Sequence, residues 1–142
     1  MARIDFYVLS QSGEQARQLF ACRLAEKAYK LENTVHIHTG DEATAGRVDD
    51  LLWTFRDGSF VPHDRVRSGA DACRAPVTIG CDPDFARTRD LLINLDEVIP
   101  ACAAAFPRIA ELVTSDEDSK QKSRRRFVAY RDEGHELETH KV

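Results

Sequence analysis

The sequence predicts an open α/β fold of the Rossmann-like kind, a single domain whose mostly parallel sheet of about five strands is flanked by helices. Short apolar runs alternate with amphipathic helical stretches along the chain, and this alternation is typical of parallel sheets. The first run, residues 4–9, is apolar on both faces, as expected for a central strand. The 142 residues are enough to bury one hydrophobic core.

Local signals predict the first helix and the second strand. Ser12 with Gln15 three residues later forms a capping box, which indicates a helix start. Alternation of apolar and polar residues over 33–39 predicts a strand. His36 and His38 share one face of it without the acidic or cysteine neighbours of a metal site, so we expect both to face solvent.

The middle of the chain predicts two helices, a loop and three strands. Asp41 caps a helix that contains Gly46. Residues 64–75 show no periodicity and predict a mobile loop. Small residues at 96–106, with Pro100 in the first turn, predict a further helix. The three strands are expected at residues 76–80, 90–95 and 109–113.

The end of the chain predicts a helix and a tail. Ser115 with Asp118 forms a second capping box, and the helix runs to about Asp132 and stops near Gly134. Residues 135–142 are polar and predict a loosely ordered, flexible tail.

The composition excludes several classes of protein. With 42% hydrophobic and 31% charged residues and a net charge of −4, it is typical of a soluble globular protein rather than a dedicated nucleic-acid binder. No apolar run is long enough to cross a bilayer, and a strand begins where a signal peptide would lie, so we expect a cytoplasmic protein without a membrane partner. Irregular cysteine spacing indicates reduced thiols. The cysteines are Cys22, Cys73, Cys81 and Cys102.

No pattern in the sequence predicts an active site, a cofactor or a metal site. The turn after the first strand, residues 10–14, has one glycine and an acidic residue where a dinucleotide site needs a Gly-x-Gly-x-x-Gly loop. Cys22 and Cys102 have apolar or small neighbours, the setting of inert thiols. A small nucleotide-binding enzyme is an alternative that rests on the fold alone.

Residues 51–63 contain the densest group of large apolar side chains and the only tryptophan. Trp53, Phe60 and Val61 lie on or beside a connector that should run over the surface, where polar residues are usual. These side chains either cover the edge of the core or form an apolar patch that binds another protein.

The last helix carries a local positive charge in a protein that is acidic overall. Lys120, Arg124, Phe127 and Arg131 follow one another at helical spacing and form a stripe of cations interrupted by an aromatic ring. Such a stripe suits an acidic peptide with an apolar anchor, with Val113 at the neighbouring strand end. The alternatives are a solvated helix face and direct binding of nucleic acid.

Several short pieces of the chain, in their order and spacing, resemble the chi subunit of bacterial DNA polymerase III holoenzyme. The most specific piece is the tryptophan followed by Phe60-Val61-Pro62-His63. The resemblance spans essentially the whole chain. The other pieces are residues 5–9, 50–53, 75–77, 89–95 and 129–131.

The resemblance implies a non-catalytic adaptor with a Rossmann-like fold and no nucleotide site. Proteins of this family pair with the psi subunit, which tethers them to the clamp loader, and they bind the acidic C-terminal tail of single-stranded DNA-binding protein, so that contact with DNA is indirect. By position, Trp53, Phe60, Val61 and Pro62 would lie at or near the psi-binding surface.

The resemblance also implies, by position, which residues bind this C-terminal tail. Arg124 would hold the terminal carboxylate of the tail and Lys120 its acidic side chains, while Val113 and Phe127 would contact its terminal phenylalanine. Phe127 stands where relatives often have tyrosine, and Ser119 replaces an apolar residue that could help to wall the pocket.

Overall fold

A computed structural model describes residues 2–69 and 73–142 of the chain. Within these residues, seven strands form one sheet: β1 (Arg3–Val8), β2 (Val35–His38), β3 (His63–Val66), β4 (Val77–Gly80), β5 (Leu91–Asn94), β6 (Arg108–Val113) and β7 (Glu136–Lys141). The α-helices are α1 (Glu14–Lys30), α2 (Glu42–Thr54) and α3 (Glu117–Asp132). The strand order is β3-β4-β2-β5-β6-β1-β7, and each neighbouring pair is parallel. The predicted fold class is confirmed, with two more strands than expected.

The sheet is covered on both faces, and each face has its own apolar cluster. On one face, α1 and α2 pack against residues such as Val35, Ile37 and Leu112. On the other face, α3 and the connection after β5 cover residues such as Phe6 and Leu92. No α-helix in the described part of the chain is both long and apolar enough to span a membrane.

The helix starts agree with the sequence in position but not always in the capping residue. Asp41 caps α2 as predicted, and its side chain accepts a hydrogen bond from the Thr44 N–H at 2.7 Å. The predicted capping box at Ser12 is wrong, because α1 follows Gly13, whose φ is +92°, and has no side-chain cap. Asp116, rather than Ser115, caps α3.

Two predictions for the middle of the chain are wrong. The expected loop at 64–75 contains most of β3, a short charged strand at the edge of the sheet whose sequence carries no apolar alternation; residues 70–72 lie outside the described part. The expected helix at 96–106 is only a 3-10 turn, Ala101–Ala105, because Pro100 delays its start and Pro107 follows directly after Phe106.

The expectation that His36 and His38 face solvent is also wrong, since each is 1% exposed. The Phe106 ring stacks on the His36 ring with centroids 6.3 Å apart, and His36 Nδ1 lies 2.8 Å from Thr78 Oγ1. Burial lowers the pKa of His36 to about 3, so its imidazole is neutral. His38 Nε2 lies 3.1 Å from an Asp96 carboxylate oxygen. Alternation located the strand correctly, but a second covering layer buries its polar face.

The predicted flexible tail at 135–142 contains β7, which pairs with β1 along its whole length. A buried carboxylate, Asp5 on β1, binds this strand through His140, whose Nε2 lies 2.9 Å from one Asp5 oxygen. Arg108 Nη2, from β6, lies 3.1 Å from the other oxygen. Burial alone would raise the pKa of Asp5, but hydrogen bonds from His140 and two arginines outweigh it and leave the pKa below the ordinary 3.8.

Because the pKa of Asp5 is lowered by folding, its ionised form stabilises the protein above pH 3.8, and this contribution is lost as the pH falls through the folded-state pKa. Asp5→Asn should therefore lower the melting temperature by a few degrees at neutral pH and have a smaller effect in acid. Thermal unfolding between pH 7 and pH 3 measures this, with Asp132→Asn, an exposed carboxylate on α3, as the control. An equal effect of Asp5→Asn at all pH values would contradict the assignment.

Candidate functional site

A buried ion pair fixes the rotation of α3 on the sheet. Glu111 on β6 is fully buried, and the Arg126 Nε–H of α3 donates to its Oε1 at 2.9 Å. The Tyr130 hydroxyl and the Asn94 side-chain amide donate to its Oε2 at 2.7 and 2.9 Å. Arg126 lies among the basic residues of this helix, but it is 4% exposed and does not contribute to a cationic surface.

The four residues predicted to bind the tail lie together around one surface depression, here called the α3 pocket. Its volume is about 310 Å³, and it lies between α3 and the ends of three neighbouring strands. Val113 is buried at its base, and the Phe127 ring packs on the Phe6 ring with centroids 5.3 Å apart. The full lining is Phe6, Val8, Val113, Lys120, Ser123, Arg124, Phe127 and Thr139.

The Arg124 guanidinium of the α3 pocket is available to a ligand. The Arg124 side chain is 68% exposed, and its Nη1 lies 3.6 Å from Glu117 Oε1, which is equally exposed. Ion pairs of this kind in water contribute little, so an incoming carboxylate competes easily for the guanidinium. Ser119 does not line the pocket; its hydroxyl accepts a hydrogen bond from the Thr114 N–H at 3.1 Å. Ser119 therefore contributes no side chain to the pocket wall.

Four lining residues were not predicted. Phe6, Val8 and Ser123 lie in the predicted first strand and last helix, where only the packing of one on the other shows which of them border a depression. Thr139 lies on β7, in the segment predicted as a flexible tail, so the sequence held no signal for it.

Trp53, in the last turn of α2, and Phe60, on the connector that follows this helix, form a second exposed surface, here called the aromatic patch. They are 55% and 64% exposed, with ring centroids 5.8 Å apart. Pro62 is half-buried beside them. The expectation that Val61 shares this surface is wrong: Val61 is 1% exposed, because the chain turns inward toward β3 and its side chain enters the core beneath α2.

The buried His63 ring packs against the Trp53 indole. The two ring centroids lie 4.5 Å apart, and the His63 side chain is 1% exposed. His63 Nε2 lies 2.8 Å from Asp49 Oδ1 on α2, and His63 Nδ1 lies 2.7 Å from the Val61 carbonyl oxygen. The His63 ring beneath the patch is therefore held by a hydrogen bond at Nδ1, while Nε2 lies close to the Asp49 carboxylate without a hydrogen bond of good geometry.

A cleft of about 510 Å³ lies at the carboxyl ends of the central strands, where α/β folds commonly bind nucleotides. Three of its four cations are paired with acids: Lys122 with Glu97, Arg17 with Glu14 and Arg126 with Glu111. The fourth, Arg47, donates a hydrogen bond to Thr44 Oγ1 at 3.1 Å. This acidic lining repels a phosphate group. The carboxylates that line it are Glu14, Asp41, Asp96, Glu97, Asp116 and Asp118.

Among the described residues, neither the Cys22 and Cys81 thiols nor the one cluster of candidate metal ligands indicates a catalytic or metal-binding site. Burial raises the pKa of Cys22 to about 12 and, with the neighbouring carboxylate of Glu42, that of Cys81 to about 11, so neither forms a thiolate at neutral pH. Asp5, Glu138 and His140 come together on the edge of the sheet. Arg3 and Arg108 already neutralise the carboxylates of this cluster.

Comparison with known families identifies the class of protein. A family profile described as "DNA polymerase III chi subunit, HolC" matches residues 1–138. The chain belongs to this family.

Among the relatives of this chi-family chain are three proteins named DNA polymerase III subunit chi. The protein of Pseudomonas aeruginosa is 39% identical over 142 residues, which cover 100% of this chain and 98% of the relative. The protein of Escherichia coli is 32% identical over 144 residues, which cover 98% of this chain and 97% of the relative. The protein of Haemophilus influenzae is 31% identical over 139 residues, which cover 97% of this chain and 96% of the relative. The similarity thus extends over both the α3 pocket and the aromatic patch.

Arg126→Ala should destabilise this chi-family protein by about 3–5 kcal/mol, because it leaves the buried Glu111 carboxylate without its counter-charge. Arg125→Ala removes an exposed arginine from the adjacent position and should change stability by less than about 0.5 kcal/mol. Urea denaturation followed by circular dichroism gives both values. Similar losses for the two variants would contradict the role given to the buried pair.

Proposed function

We propose that this protein is a non-catalytic accessory subunit of the bacterial replicative DNA polymerase, DNA polymerase III, and acts in the cytoplasm. It links the clamp loader, through the psi subunit, to single-stranded DNA-binding protein. The observation that carries the proposal is the presence of two separate surfaces with different chemistry, the cationic α3 pocket and the aromatic patch. An adaptor needs two such surfaces.

The α3 pocket suits the C-terminal tail of single-stranded DNA-binding protein. A guanidinium can hold a terminal carboxylate through two parallel hydrogen bonds, and Arg124 stands exposed at the rim. The apolar base formed by Val113 and Phe127 suits an aromatic side chain next to that carboxylate. Lys120 on the same wall attracts the acidic residues that precede it.

The aromatic patch suits the psi subunit. Trp and other large aromatic residues are frequent anchors at the centres of protein interfaces, and here two of them are more than half exposed and lie side by side. Pro62 fixes the direction of the chain beyond them. Val61 supports the patch from the core and does not itself reach a partner.

Direct binding of nucleic acid by α3 is less well supported. Lys122 is bound to Glu97 and Asp118, at 2.7 and 3.0 Å, and Arg126 is buried, so two of the six cations from Lys120 to Arg131 do not face a ligand. The remaining positive charge is small in a protein of net charge −4. Since non-specific affinity for nucleic acid depends on the number of phosphates that are neutralised, this helix favours a short acidic peptide.

Arg124→Ala should weaken the binding of a peptide matching the acidic tail by about tenfold or more, because a hydrogen-bonded charge pair between guanidinium and carboxylate is lost. Isothermal titration calorimetry measures the affinity. Arg125→Ala, which removes an exposed cation outside the pocket, is the matched control and should change affinity much less. Equal affinities for Arg124→Ala and the unmodified protein would refute the assigned pocket.

Phe60→Asp should abolish the complex with psi while changing the stability of the isolated protein by less than about 0.5 kcal/mol, since the side chain is exposed. Co-purification and thermal unfolding supply the two readouts. Val98→Asp introduces the same charge at another exposed apolar residue and should leave the complex intact. A large loss of stability in Phe60→Asp would show instead that this ring belongs to the core.

A further inference from the structure

We propose that Glu26, on α1, is a positioning residue that holds the aromatic patch in the conformation that its partner binds. This inference rests on the proposed function, in which Trp53 and Phe60 meet psi. Glu26 is 7% exposed, which is unusual for a glutamate in the middle of a helix. A carboxylate is buried at a large cost in free energy unless charged or hydrogen-bonded partners surround it.

The partners of Glu26 come from the turn that leads into the aromatic patch. Arg56 Nη2 lies 2.8 Å from Glu26 Oε1, and the Ser59 hydroxyl donates a hydrogen bond to Glu26 Oε2. Lys30, one helical turn further along α1, lies 3.9 Å away and adds a weaker contact. The carboxylate therefore binds both the first and the last residue of the turn at 56–59.

The turn is tight, and it ends directly before Phe60. The Ser59 N–H donates to the Arg56 carbonyl oxygen at 3.2 Å, and Gly58 has a φ of +72°, which side chains other than glycine rarely adopt. Phe60 itself is 64% exposed, so core packing does not fix its ring. Its position over Trp53 thus depends on the turn, and the turn depends on Glu26.

Fixing the two rings in advance favours binding. A side chain that is mobile in the free protein must be ordered when the partner binds, and this ordering reduces affinity. With the turn held by Glu26, the rings are already paired at 5.8 Å before the partner arrives. Glu26 would therefore raise affinity without contacting the partner.

The single tryptophan of the protein reports on this arrangement. We expect Glu26→Ala to increase the quenching of Trp53 fluorescence by acrylamide, because Phe60 no longer covers the indole, and to weaken psi binding by about tenfold. Glu26→Gln keeps an acceptor for Ser59 and loses the charge pair with Arg56, so it should give intermediate values. Glu136→Gln, at the opposite edge of the sheet, is the control and should match the unmodified protein.

Quenching and affinity in Glu26→Ala that equal those of the unmodified protein would overturn the proposal. If Glu26→Ala does not fold, Arg56→Ala and Ser59→Ala remove the same contacts from the solvent side, and unchanged quenching and affinity in both would overturn it equally. If the unmodified protein does not bind psi, the proposed function fails. The quenching of Trp53 still supports or refutes the positioning of the rings in that case, because it requires no partner.

Discussion

The buried pair of Glu111 and Arg126 is the constraint on which the second half of the structure depends. A carboxylate and a guanidinium removed from water are stable only when their hydrogen-bonding groups are matched, and here Tyr130 and Asn94 complete the set around Glu111. Arg126 also donates to the Glu97 carbonyl oxygen at 2.8 Å, which ties the connection after β5 to the helix. Together these bonds fix the rotation of α3 about its own axis on the sheet. That rotation buries Ser123 and Tyr130 and brings the stripe of cations to the surface.

The two proposed binding surfaces lie near opposite edges of the sheet. The α3 pocket borders β6, β1 and β7, at one edge, and the aromatic patch lies where α2 leads into β3, the strand at the other edge. The covering helices also differ, since α3 belongs to one face and α2 to the other. A parallel sheet packed on both faces is a rigid spacer between them. In the proposed function, the two partners therefore bind without competing for space.

Polar side chains in the interior position both surfaces. Asp5 holds β7 through His140, and Arg3 holds it through Glu138; Thr139 of this strand forms part of the α3 pocket. His63 contacts the Trp53 ring, and Glu26 holds the turn that precedes Phe60. Apolar contacts alone would tolerate small rotations and shifts of these segments, whereas hydrogen bonds to charged groups require defined directions. The interior polar groups therefore specify where the exposed groups point.

By itself, the sequence determined the elements whose patterns are local. Apolar runs predicted β1, β4, β5 and β6, and alternation predicted β2. Helical patterns and capping residues predicted α1, α2 and α3, and the stripe on α3 brought Lys120, Arg124 and Phe127 to one face. Only the tertiary structure decided what depends on distant residues. Charged strands β3 and β7 exist because neighbouring strands supply their hydrogen bonds, His36 and His38 are buried because a second layer covers them, and Val61 points inward while Phe60 does not. Propensity and periodicity act over a few residues, whereas burial and edge pairing arise only when segments far apart in sequence meet.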